Sequence, residues 1–164
     1  MLDPTPSPDQ TRIRTEVAVM FYDTDCAAVV HNIAYLRFIE AARTMLAGQL
    51  GMSLAEMARS KQYPVVVRTE IDYKRPAVLG DTLVIDGWLE RVERIRFWCG
   101  FTIKRQGDDA TVLIRCRQML ALVQMPEGKP MRLPDEWQDR FGHLKSGQPG
   151  GDDALARMHG GQVV

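Results

Sequence analysis

The chain has 164 residues, with 21 Lys+Arg against 21 Asp+Glu, so its formal net charge at pH 7 is zero. That balance argues against a general nucleic-acid binder, which carries a basic excess, and a hydrophobic content of 45% argues against a disordered chain. The length suits one domain at roughly 100–200 residues per domain, and no apolar run approaches the ~18 residues of a membrane span.

Residues 1–11, rich in Pro, Asp and Ser, read as a flexible lead without the apolar core of a signal peptide. Arg12–Phe21 then reads as a strand, with Ile13, Val17 and Val19 among its apolar residues. It runs into two carboxylates, Asp23 and Asp25, and a short apolar loop to Val30. Asn32 is the expected N-cap of a helix over Ile33–Leu50. Leu36, Ile39, Ala42, Leu46 and Leu50 recur there at the helical period, with Arg43 the polar exception. Tyr35, Phe38, Ala41 and Met45 widen the apolar surface, so this helix should be covered on most sides. Gly51 suits the position just past its C-terminus. Ser53-Leu54-Ala55-Glu56 is a capping box and predicts a short helix to about Ser60.

Four β-rich stretches follow: Tyr63–Tyr73, Thr82–Val92, Ile95–Lys104 and Ala110–Val123. In the third, Ile95, Phe97, Cys99, Phe101 and Ile103 alternate with polar or small residues, the period of a strand with one buried face. Gln106-Gly107-Asp108-Asp109 is a hairpin turn signal. The order β-α-α-β-β-β-β predicts an α+β fold, an antiparallel sheet packed on one long helix. Pro126–Phe141 reads as a Pro-punctuated tail with a helical turn near Pro134–Trp137. From about Ser146 onward the chain is Gly-rich and expected to be disordered.

The chemistry starts from the placement of a carboxylate beside a helix N-terminus, where unpaired N–H groups and the dipole favour negative charge. An acid facing such donors across a cleft attacks, or directs water at, a carbonyl whose oxygen the donors hold. Cys26, Cys99 and Cys116 are odd in number and lack metal-ligand spacing, which points to free thiols in a reducing, cytoplasmic setting. His31, His143 and His159 are scattered. No metal-ligand pattern, phosphate-binding glycine loop or dinucleotide fingerprint is present, so no cofactor is expected.

Two motifs carry a resemblance. The first is Asp23-Thr24-Asp25 with Val29-Val30, His31-Asn32 and Tyr35, continued by the helix Tyr35–Arg43. The second is Tyr73-Lys74-Arg75-Pro76-Ala77-Val78-Leu79-Gly80-Asp81. Together they resemble the hotdog-fold acyl-CoA thioesterases of the 4-hydroxybenzoyl-CoA thioesterase type, with the Tol-Pal-associated subgroup close. The resemblance covers about residues 12–141. It implies a hotdog fold, a five-stranded antiparallel sheet wrapped around one long central helix, and residues from 142 as a tail. It implies hydrolysis of an acyl-CoA to the free acid and coenzyme A, with Asp25 as the catalytic carboxylate and a helix-start N–H near Asn32 polarising the thioester carbonyl. It further implies a site between two protomers of a dimer, often paired into a tetramer. Many relatives carry Gly at the position of Ala28, and several in the subgroup carry His at that of Asn32.

Other residues fill the remaining roles. Asp23 reads as a structural acceptor for neighbouring N–H groups. His31 and Tyr35 are expected to line the substrate pocket. Arg94 and Arg96, near a turn between strands, are candidates to grip the phosphates of coenzyme A, with Lys74 and Arg75 weaker candidates of the same kind. Glu40 is an alternative carboxylate, though with Arg43 it reads more simply as a helix ion pair. Cys26 with His31 lacks a third orienting group. The rival readings are a non-catalytic hotdog that only binds acyl-CoA and a thioesterase acting on acylated carrier protein.

Overall fold

A computed structural model describes residues 8–144. The lead before Pro8 and the tail from residue 145, including the expected disorder from Ser146, lie outside the described residues. Pro8–Thr11 forms a 3₁₀ turn rather than a loose lead, and β1 (Arg12–Ala18) follows it. A second 3₁₀ turn, Phe21–Asp23, ends the expected first strand early. The elements after it are α1 (Asn32–Gln49), α2 (Leu54–Ser60), β2 (Gln62–Tyr73), β3 (Thr82–Val92), β4 (Arg96–Arg105) and β5 (Val112–Gln124). A two-residue β6 (Lys129–Pro130) and α3 (Asp135–Phe141) complete the order.

The five long strands form one antiparallel sheet in the order β1-β3-β4-β5-β2, and β6 adds beside β5. The sheet curls on α1. Tyr35, Phe38, Ile39, Ala42 and Leu46 of that helix share one core with Ile13, Leu83, Ile85, Phe101, Ile103 and Ile114 from the strands. This is the expected hotdog architecture. Helix α1 ends as the sequence predicts: Gly51 sits at φ +91°, and the N–H groups of Gly51 and Met52 bond to the carbonyls of Gly48 and Ala47. The Ser53 side chain caps α2 by accepting from the Glu56 N–H, and α2 stops at Ser60.

Three expectations change. Helix α1 is not covered on most sides among the described residues: Ile33, Leu36 and Met45 are 73%, 36% and 49% exposed, because the sheet meets only one of its faces. Strand β4 is buried on both faces, not one. On the face away from α1, the Trp88 indole lies over Gly100, where a Cβ would come within 2.4 Å of the ring. The Arg91 and Arg117 guanidiniums sit 5.2 and 4.7 Å from the centre of the Trp98 ring. Finally, the stretch read as a tail is part of the domain. Leu133, Trp137 and Phe141 enter the core, and Leu144 packs against it, because α3 turns an apolar face inward.

Candidate active site

The segment between β1 and α1 is held by its own backbone. Asp25 donates its N–H to the Val29 carbonyl, and Ala28 donates to that of Asp25, at 2.9 and 3.0 Å. Ala28 adopts φ +59°, a left-handed conformation that glycine takes without steric cost. The His31 N–H reaches back to the Asp23 carbonyl at 3.0 Å. Two further bonds stitch the segment to the loop after β2: Val30 N–H to the Ala77 carbonyl at 2.9 Å, and Leu79 N–H to the Ala28 carbonyl at 3.1 Å.

That second loop is fixed by its motif residues. Gly80 takes φ +90°, which the turn requires. The Asp81 carboxylate accepts from the Val78 N–H at 3.0 Å and from Arg105 Nε at 2.8 Å, while Arg105 Nη2 also donates to the Pro76 carbonyl at 2.7 Å. The Tyr35 hydroxyl accepts from the buried Ala77 N–H at 2.8 Å and so joins α1 to this loop. Burial raises the Tyr35 phenol above its ordinary pKa of 10.0, partly offset by the Ala77 bond.

The two carboxylates have separate surroundings. Asp23 is 1% exposed, accepts from the Met20 N–H at 2.9 Å and pairs with Arg37, which is the structural role expected of it. Asp25 is exposed, and one of its oxygens, Oδ1, accepts from the Ala27 N–H at 2.8 Å. Its carboxylate borders an open cleft of about 700 Å³ together with His31, Asn32, Ile33 and Tyr35 on one side and Tyr73, Lys74, Arg75 and Ile114 on the other.

The helix start differs from expectation by one residue. His31 is the N-cap, its Nδ1 accepting from the Ala34 N–H at 3.3 Å, and Asn32 is the first helical residue. His31 keeps extended backbone (φ −77°, ψ 156°) while its N–H bonds back to the Asp23 carbonyl, so the helix begins one residue later, at Asn32. As first-turn positions, Asn32 and Ile33 leave their N–H groups without intrahelical acceptors, on the same cleft as Asp25. A carboxylate and free helix-start donors around one cleft can bind a carbonyl and deliver an attacking oxygen to it.

The cleft gathers Asp25, His31, Asn32 and Tyr35, but not Arg94 and Arg96. Arg96 pairs across the sheet with Ala121, whereas the cleft residues Ile114 and Tyr73 align with Ile103. Seven residues of β4 at ~3.3 Å each put roughly 23 Å between those ends. Arg94 is exposed in the β3–β4 turn, and Arg96 meets Glu93 at 3.4 Å. The cations that reach the cleft are Lys74 and Arg75, whose N–H groups share the Leu113 carbonyl at 2.9 and 3.1 Å. Their position inside the second motif was the signal for them. Glu40 forms the expected contact with Arg43, at 3.9 Å, and Arg43 Nη1 donates to the buried Gln118 at 2.6 Å, which accounts for the polar exception on α1. Among the described residues, no group of His, Cys, Asp and Glu is arranged to hold a metal ion.

Comparison with known proteins bears on this geometry. The thioesterase-like superfamily matches the chain over residues 19–141. The acyl-CoA thioesterase YbgC of Haemophilus influenzae is 32% identical over 133 residues, 79% of this chain and 93% of that protein. A 1,4-dihydroxy-2-naphthoyl-CoA hydrolase of Thermosynechococcus vestitus is 28% identical over 82% of this chain and 88% of its own. Among solved structures, the 1,4-dihydroxy-2-naphthoyl-CoA thioesterase of Synechocystis superposes with a TM-score of 0.67 at 26% identity, covering 77% of this chain and 93% of that one.

Proposed function

The chain belongs to the thioesterase-like superfamily, and from that premise we propose that it hydrolyses acyl-CoA thioesters at the cleft bordered by Asp25. The observation that carries this reading is one exposed carboxylate sharing a cleft with the unpaired N–H groups of Asn32 and Ile33. Those donors receive the thioester carbonyl oxygen and stabilise the charge that grows on it.

Two routes use the same groups. In the first, Asp25 takes a proton from water, the water oxygen bonds to the thioester carbon, and collapse breaks the C–S bond. The departing thiolate takes up that proton, giving free acid and coenzyme A. In the second, Asp25 itself bonds to the carbon and expels the thiolate, and water then cleaves the anhydride. Single-turnover hydrolysis in ¹⁸O water separates them, since only the second can place the label in Asp25. His31 and Tyr35 act as pocket walls, with Tyr35 holding the Ala77 loop in place. Within one chain Lys74 and Arg75 are the cations placed to grip the phosphates, and Arg94 and Arg96 join that role only from a second protomer.

The assembly we infer is a homodimer joined along the β2 edge. That edge strand is long and carries Val65, Val66 and Val67 at 39%, 40% and 55% exposure, and its end borders the cleft at Tyr73. An apolar edge with unpaired backbone groups is a template for another strand. Three unpaired cysteines support a reducing, cytoplasmic compartment.

The test is thiol release from acyl-CoAs of differing acyl groups, with acylated carrier protein alongside. Release from acyl-CoA is expected. Release from carrier protein alone would reassign the substrate, and release from neither would overturn the enzymatic reading. Val66→Lys is expected to convert the sedimenting dimer to monomer and to lower turnover, whereas Ala18→Lys on β1 leaves both unchanged.

A further inference from the structure

A second cavity, of about 840 Å³, opens beside β1, between Met45 and Gln49 of α1 and residues of the sheet's outer face. Its floor is a cross-strand row: Arg14 opposite Asp86, Asp86 opposite Thr102, and Thr102 opposite Arg115. Residues directly opposite one another share a face of the sheet, so this row lies behind the core that packs on α1. Ile114 borders the cleft of Asp25 and Arg115 borders this cavity, so neighbouring residues of β5 serve opposite faces.

The charges of this cavity do not balance. Arg14, Lys104 and Arg115 line it with two carboxylates, Asp86 and Asp109. Arg14 meets both of those carboxylates, at 3.5 and 3.1 Å. Lys104 Nζ donates to the Asp109 main-chain carbonyl at 2.8 Å, which leaves its charge uncompensated. The Arg115 guanidinium forms no ion pair among the described residues, and its Nε is buried without a hydrogen-bond partner. A buried donor left unmatched costs stability unless something fills the space in front of it. One part of the remaining wall is aromatic. The Trp88 indole rests on Gly100 and also borders the cavity.

We propose that this cavity binds a nucleoside polyphosphate. The phosphates meet Arg115 and Lys104, whose guanidinium fork and ammonium suit phosphate oxygens. The base lies against Trp88, since any base has a π-face to stack on an aromatic ring. The volume falls in the range of small-molecule sites, ~300–1,000 Å³. Free nucleotide and the nucleotide end of a coenzyme A share this chemistry.

The experiment is calorimetric titration of the full chain with ATP, ADP, coenzyme A and inorganic phosphate, repeated for Arg115→Gln and Lys104→Gln. Saturable binding of ATP and ADP is expected, weakened by about tenfold or more in Arg115→Gln and less in Lys104→Gln, with phosphate alone binding more weakly. The kcat for acyl-CoA hydrolysis stays at the wild-type value in both variants. If the occupant is free nucleotide, the KM for acyl-CoA also stays; if it is the substrate's own nucleotide end, KM rises in step with the loss of coenzyme A binding. Absence of binding by ATP, ADP and coenzyme A alike, or binding unaltered in both variants, overturns the proposal. So does a change of sedimentation in Arg115→Gln, which would make this face a contact between copies of the chain.

Discussion

The segment joining β1 to α1 has two halves built for different ends. In Met20–Thr24, a buried carboxylate is spent on structure: Asp23 holds the Met20 N–H and Arg37. In Asp25–His31, the same functional group two residues later stands exposed on a cleft, with one of its oxygens bonded to the Ala27 N–H. The difference teaches that residue type alone assigns no role here. What separates the two acids is whether their acceptor capacity is consumed within the chain.

The sharpest way to break this contrast is a pair of variants. Asp25→Asn is expected to lower thioester hydrolysis by about 10²–10⁴-fold with the thermal midpoint unchanged. Asp23→Asn is expected to act on stability instead, costing about 1–3 kcal/mol in chemical denaturation, a figure held down because the Arg37 side chain is 53% exposed. An exchange of these phenotypes would refute the division of labour. A smaller effect belongs to the junction between the halves and the core. Tyr35→Phe leaves the Ala77 N–H buried without its acceptor, a loss of about 1–3 kcal/mol that a urea melt would register, and it should loosen the cleft wall. The smallest change runs the other way. Ala28→Gly relieves a left-handed alanine at the price of a floppier unfolded chain, a net gain of about 0.5–1 kcal/mol, read as a higher urea midpoint. No gain there would mean that the loop's conformation is not strained.

Much of this was legible beforehand, because the signals were local. The cap at Ser53 and the terminator at Gly51 are each decided within a few residues, and the structure agrees with both. The motif around Asp25 is local in the same way, and Asp25, His31, Asn32 and Tyr35 border one cleft. What stayed hidden was non-local. The choice of His31 over Asn32 as cap depends on a hydrogen bond back to Asp23. The second buried face of β4 depends on Trp88 and two arginines from neighbouring strands. Strand register, which the sequence does not show, puts Arg94 and Arg96 at the other end of the sheet from Lys74 and Arg75 within one chain. The apolar outer face of α1 promised a cover that the described residues do not supply.

The tie between the Tyr35 hydroxyl and the Ala77 N–H, with the Val30–Ala77 bond beside it, has a practical corollary. Segments 22–35 and 73–81 behave as a lock and its strike plate, cut to each other though far apart in the chain. A chimera that borrows one from a relative and keeps the other would mismatch them, so exchanging substrate preference among such enzymes calls for transplanting both together.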